Sequence, residues 1–273
     1  MTHIELPEGM TAVPANAFQG SNHLMKVVLP STILCIEENA FRDCTRLKQV
    51  NLPDGLEEIH LNAFRSTALT AIDVPATVTY LSGFYGCEQL TDVHLREGLE
   101  EIGIYAFDTC TSLVGLDIPD GVKTVSSYAF SNCQSLKSID LPASVTTIGE
   151  QCFYICTSLE SFGYPAGWAK VYGRHNNWNL YGGNIFEGCS KLTSITIPEG
   201  VTEISNYAFA GSAYLQEINF PETLEIIHNG AFERCTALNK VELPQNLKTL
   251  RLNVFRDCTN LEDVIFNDGL ESV

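Results

Sequence analysis

The chain is short of positive charge: 16 Lys and Arg stand against 33 Asp and Glu, giving a formal net charge of −17. Nucleic acid and anionic membrane surfaces demand a basic stripe, so both drop out as partners. No apolar run approaches the ~20 residues that a membrane span requires. The opening Met1-Thr2-His3-Ile4-Glu5-Leu6-Pro7 contains no charged and apolar leader pattern and enters a structural unit directly. It reads as the start of a cytosolic protein or of a piece excised from a longer one. There is no Asn-x-Ser/Thr acceptor for N-glycosylation, no Cys-x-x-Cys and no glycine loop of the phosphate-cradling kind. His3, His23, His60, His94, His175 and His228 fall at outward or turn positions with no nucleophile beside them. The expectation is a non-enzymatic protein with no cofactor and no metal site. Tryptophan is scarce, and both copies, Trp168 and Trp178, lie in one segment.

Against these absences stands one strong regularity. Phenylalanines at 18, 41, 64, 84, 107, 130, 153, 186, 209, 232 and 255 are separated by 23 residues in eight of ten intervals. A period of this length marks a solenoid, in which each unit touches only its neighbours and one core runs through the stack. Each unit reads Leu-x-x-Ile-x-Leu-Pro-x-x-Val-x-x-Ile-x-x-x-Ala-Phe-x-x-Cys, as in Leu136, Ile139, Leu141, Pro142, Val145, Ile148, Phe153 and Cys156, where Cys152 takes the place of alanine. Ile and Leu two apart predict one short strand per unit with a buried face. The proline removes an amide donor and ends that strand. Ala-Phe-x-x-Cys predicts a single tight helical or 3₁₀ turn.

Eight of the ten cysteines (44, 87, 110, 133, 156, 189, 235 and 258) occupy one column, three residues after the Phe, and Ser21, Thr67 and Ser212 fill it elsewhere. The column selects small, semi-polar side chains. Stacked residues point their Cβ atoms in parallel, which suits disulfide geometry poorly, so these read as buried free thiols. Cys35 falls at a polar position beside Ile36, and the Cys152/Cys156 spacing has no second half that would make a zinc site.

The unit, and above all the Pro after the strand with Ala106-Phe107-Cys110 and Ala231-Phe232-Cys235 in the turn, resembles the BspA-like, or Treponema pallidum-type, leucine-rich repeat family. That resemblance implies a repeat solenoid of α/β leucine-rich-repeat type. It would be a right-handed stack of about eleven to twelve 23-residue units, with an in-register parallel β-sheet and short helical or 3₁₀ turns. It implies binding rather than catalysis, in a bacterial cell-surface or secreted adhesin whose partner is a host extracellular-matrix protein or another surface protein. The unpaired thiol column suits an alternative, an intracellular scaffold for protein partners. Two positions depart from the pattern: Arg96 replaces the turn proline, and Gly83-Phe84 closes a unit three residues early.

Residues 1–273 read as a single solenoid with an incomplete last unit at 261–273. That open end predicts either further chain beyond it or pairing with another molecule. The 33-residue interval from Phe153 to Phe186 predicts a loop inserted after Tyr164-Pro165, within 163–183. It carries Trp168, Tyr172, Arg174, His175, Trp178 and Tyr181, residue types that concentrate at binding hot spots. Two readings stand: a recognition loop, or tryptophans folded back over the solenoid edge. The second candidate surface is the outward strand column of Asp73, His94, Asp117, Asp140, Thr196, Asn219 and Glu242, whose acidic middle would favour a basic partner or divalent cations; a solvated sheet face is the rival reading.

Overall fold

A computed structural model describes residues 2–168 and 184–272. Each regular coil contributes two short parallel strands, one more than expected. The first is the predicted x-Ile-x segment: in Asp92–His94 the central Val93 is buried while its neighbours are exposed, as a two-residue side-chain period requires. The second lies further on and ends at the Ile of Val-x-x-Ile, as in Cys35–Ile36 and Glu58–Ile59. Its apolar residues look inward in both cases, but its backbone also pairs with the coils above and below, which hydrophobic spacing alone does not reveal.

The two ladders differ in continuity. The second strands form one unbroken seven-stranded parallel sheet from Ala12–Val13 to Thr147–Ile148, always in register one coil apart. A further three, from Glu203–Ile204 to Thr249–Leu250, pair beyond the long interval. The first strands pair only in twos and threes. Between Asp92–His94 and Ser138–Asp140, the segment Gly115–Ile118 forms no backbone hydrogen bond with either neighbour.

After the first strand the proline carbonyl accepts the amide three residues on, Pro142 from Val145 at 3.0 Å, closing a turn. The third side of each coil is not helical. Tight turns there, such as Arg42 N–H to Asn39 O and Cys44 N–H to Phe41 O, alternate with amides that donate to the following coil: Asn39 to Leu61, Phe41 to Ala63 and Asp43 to Arg65. This alternation needs left-handed residues two before and two after the Phe, as at Asn39 (φ 57°) and Asp43 (φ 58°). Those residues break any run of helical dihedrals.

The core is a single column. All ten neighbouring pairs of the eleven phenylalanines stack, with ring centroids 5.3–5.8 Å apart and planes within 3–14°. The long interval does not interrupt it, because Phe153 and Phe186 lie 5.6 Å apart at 6°. All ten cysteines are free. The structure explains their column: each of the eight S–H groups donates to the carbonyl of the Phe one coil earlier, at 3.1–3.3 Å. In these eight coils a short side chain with a donor meets that carbonyl.

Candidate functional site

The strand-column candidates are all exposed, each just after an inward-facing apolar residue, and all but Asp117 lie on strands of the first ladder. The register brings Asp73 beside His94 and Thr196 beside Asn219, whose amide donates to the Thr196 hydroxyl at 3.3 Å. Glu242 lies beside Ile265. Asp73 is engaged: Arg96, in the place of the turn proline one coil later, grips it with two hydrogen bonds of 2.9 and 2.7 Å. This guanidinium holds the Asp73 carboxyl below its ordinary range. The departure from the repeat pattern at Arg96 therefore neutralises one end of the acidic column.

Beyond that pair the column opens into a groove. His94, Asp117 and Asp140 line it with Asp92, Gly115 and Ser138, around a volume of ≈ 400 Å³. His94 Nε2 lies 3.2 Å from Asp92. The groove coincides with the unpaired segment Gly115–Ile118. Gly115 contributes to it directly, since a Cβ there would meet nothing within 4 Å. The floor thus presents backbone N–H and C=O groups with no ladder partner, and the rim presents carboxylates. Such an edge can pair with an extended chain, and its charge favours cationic side chains on that chain.

The loop candidates fare differently. The structure corrects the position of the insertion and the role of Trp168. Tyr164 stands in the column of Leu141, Pro165 in that of Pro142, and Trp168 in that of Val145, its amide donating to Pro165 O at 2.9 Å as Val145 does to Pro142. The coil therefore runs normally through Trp168, and the extra residues enter after it. Trp168 is fully buried, so it is a core residue and not a surface contact. Its ring lies 4.7 Å from that of Tyr164 and edge-on to Phe162 at 6.4 Å, and the Tyr164 hydroxyl donates to the Trp168 carbonyl at 3.3 Å. Burial pushes the Tyr164 phenol up. Neither reading of the loop applies to Trp168, which is a regular core position of its coil. Tyr172, Arg174, His175, Trp178 and Tyr181 lie outside the described residues.

A cluster that sequence spacing did not suggest lies on the second ladder. The metal-binding donor atoms of Cys35, Glu58 and His60, all half-buried, come within 4.8 Å of one another. Residues 35 and 58 are far apart along the chain but adjacent in the stack. Searching for cross-coil donors at the repeat period would have found them. Among the described residues, no helix is long and apolar enough to cross a membrane.

The BspA type leucine rich repeat region matches residues 1–83, 82–174 and 181–273. No curated protein matches the chain significantly. Among solved structures it is similar to a leucine-rich repeat protein from Bacteroides ovatus, with 25% identity over 99% of this chain and 82% of that one and a TM-score of 0.63. A leucine-rich repeat protein from Eubacterium ventriosum shows 20% identity over 94% and 82%, with a TM-score of 0.52. The pneumococcal vaccine antigen PcpA shows 20% identity over 100% and 78%, with a TM-score of 0.55. With the repeat, the stacked phenylalanines and the parallel ladders in agreement, the chain belongs to the BspA-type leucine-rich repeat family.

Proposed function

We propose that the chain is a non-enzymatic protein-recognition module of a bacterial surface or secreted protein, and that the groove on the first ladder takes an extended, basic segment of its partner. The observation that carries this reading is the coincidence of the unpaired backbone of Gly115–Ile118 with the carboxylates of Asp92, Asp117 and Asp140. Backbone pairing supplies affinity that is indifferent to sequence, and the acidic rim supplies selection by charge. Family membership supports binding over catalysis, and likeness to a vaccine antigen supports an exposed location.

The test uses the whole chain against a labelled, lysine-rich extended peptide and a panel of matrix proteins. Asp117→Asn with Asp140→Asn should weaken capture at least roughly tenfold, about 1.4 kcal/mol, and added salt should weaken it further. Unchanged capture by the double variant would remove the groove from consideration. Trp178→Ala tests the loop separately, and loss of binding there alone would move the contact surface to the insertion. The free thiols also fit an intracellular scaffold. Added protease on intact cells separates the locations: cleavage supports the surface reading, and protection until lysis supports the scaffold.

A further inference from the structure

The second ladder carries a group of side chains with a different chemistry. Cys35 and Glu58 are register partners in adjacent coils, so their side chains project side by side from the sheet. His60 follows Glu58 by two residues, and its Nε2 lies 2.9 Å from a Glu58 carboxylate oxygen. The three donors are a sulfur, an oxygen and an imidazole nitrogen, all within 4.8 Å of one another. Tyr80, next in the ladder beside Glu58, places its ring 5.9 Å from that of His60 and covers one side. Each residue is half-buried, which leaves a path for an ion while limiting competing solvent.

We propose that Cys35, Glu58 and His60 form a cross-coil site for a zinc-type divalent transition-metal ion, with the fourth position open to water. A thiolate with an imidazole favours such an ion over calcium or magnesium, which prefer all-oxygen shells. Three protein ligands of these types leave the fourth tetrahedral position free. The three donor atoms lie within 4.8 Å of one another, so side-chain rotation closes the shell around an ion. Binding replaces the hydrogen bond from His60 Nε2 to Glu58 with two metal bonds; the Nε2 proton passes through solvent to Nδ1, leaving a neutral imidazole, and the Cys35 proton is released to solvent. Without an ion, burial and the charges of Glu58 and Glu37 hold the thiol protonated, above its ordinary 9.0.

The molecule contains its own control. His228 occupies the same coil position as His60 and meets Glu203 across coils at 3.0 Å, but no cysteine stands beside that pair. It should not give a sulfur-ligated ion. Cys35 is also the one cysteine that is not buried, so its chemistry can be followed separately.

The experiment titrates the reduced, metal-free whole chain with Co²⁺. The expected result is a thiolate-to-cobalt charge-transfer band that saturates at one ion per chain and is bleached by Zn²⁺. Zinc should also protect Cys35 from iodoacetamide, read by peptide mass mapping. Cys35→Ser should abolish the band. Its position holds Ala12, Glu58, Tyr80, Glu101 and Thr124 in other coils, so the fold tolerates the change. Glu58→Gln and His60→Gln should each weaken cobalt binding by at least the roughly 10–100-fold typical of losing an outer-shell partner, while His228→Gln should leave it unchanged. Absence of the band, its persistence in Cys35→Ser, or equal alkylation of Cys35 with and without zinc would each overturn the proposal.

Discussion

The two ladders of this solenoid use the same backbone chemistry to different ends. The second runs through seven coils without a break, on strands of two residues, while the first is divided into twos and threes although its strands are longer. The difference shows that stacking does not depend on both sheets. The phenylalanine column and one continuous ladder keep the coils in register, which frees the other face to open and vary. The groove beside Gly115 occurs where that freedom is used most.

The comparison breaks most sharply at the shared core. Phe130→Ala, in a fully buried ring stacked on both sides, should cost about 3–5 kcal/mol in urea unfolding, whereas the same change at Phe18, at a part-exposed end, should cost clearly less. Equal costs would mean that the column is not cooperative. Next come paired positions on the two ladders. Ile102→Ala in the continuous sheet should fall well within the ~2–5 kcal/mol range for such truncations, and Leu116→Ala in the unpaired segment at its lower end. Hydrogen exchange sharpens the contrast: amides of Gly115–Ile118 should exchange far faster than those of Glu101–Ile102.

A smaller effect is expected from the thiols that lock coil to coil. Burial pushes Cys44 and Cys87 from an ordinary 9.0 up to about 11. The unfolded chain ionises these groups from about pH 9, while the folded one keeps them protonated. Their contribution is therefore whole below that pH and is lost as pH rises toward 11, on the order of 2 kcal/mol for a fully buried thiol. Melting curves under reductant across this window should show Cys87→Ser losing less stability than the parent. The smallest effect belongs to Arg96→Ala. Its partner Asp73 is more than half exposed, so melting should hardly change, while capture of a cationic peptide should improve as a free carboxylate is restored to the column.

Much of this architecture can be read from spacing alone. The Phe period fixes the stack, Pro142 and its counterparts end the first strands, and the cysteine column reads correctly as small and unbridged. What escapes has identifiable causes. The left-handed positions are filled by side chains as unlike as Asn39, Tyr105 and Gln151, so the recurrence of Asn at 16, 39, 62, 184 and 253 and of Gly at 20, 86, 188 and 211 hints at them only in part. Trp168 reads as a loop residue because its neighbours are unusual, yet counting three from Pro165 places it in the core. The acidic column is legible, but the groove is not, because an unpaired strand is a backbone event. Cys35, Glu58 and His60 escape any search for ligands close together in sequence, since in a coiled array the next neighbour is a full turn away.

The alternating amides of the turn side have a consequence for growth of such arrays. Those of Asn39, Phe41 and Asp43 point toward the C-terminal end, whereas those of Cys35, Glu37 and His60 point back toward the N-terminal end. Peptide dipoles on two sides of the tube therefore run against each other. An α-helix concentrates partial charge at its tips because its dipoles align. Here an added coil brings opposed contributions, so a tube of this kind can lengthen without electrifying its ends.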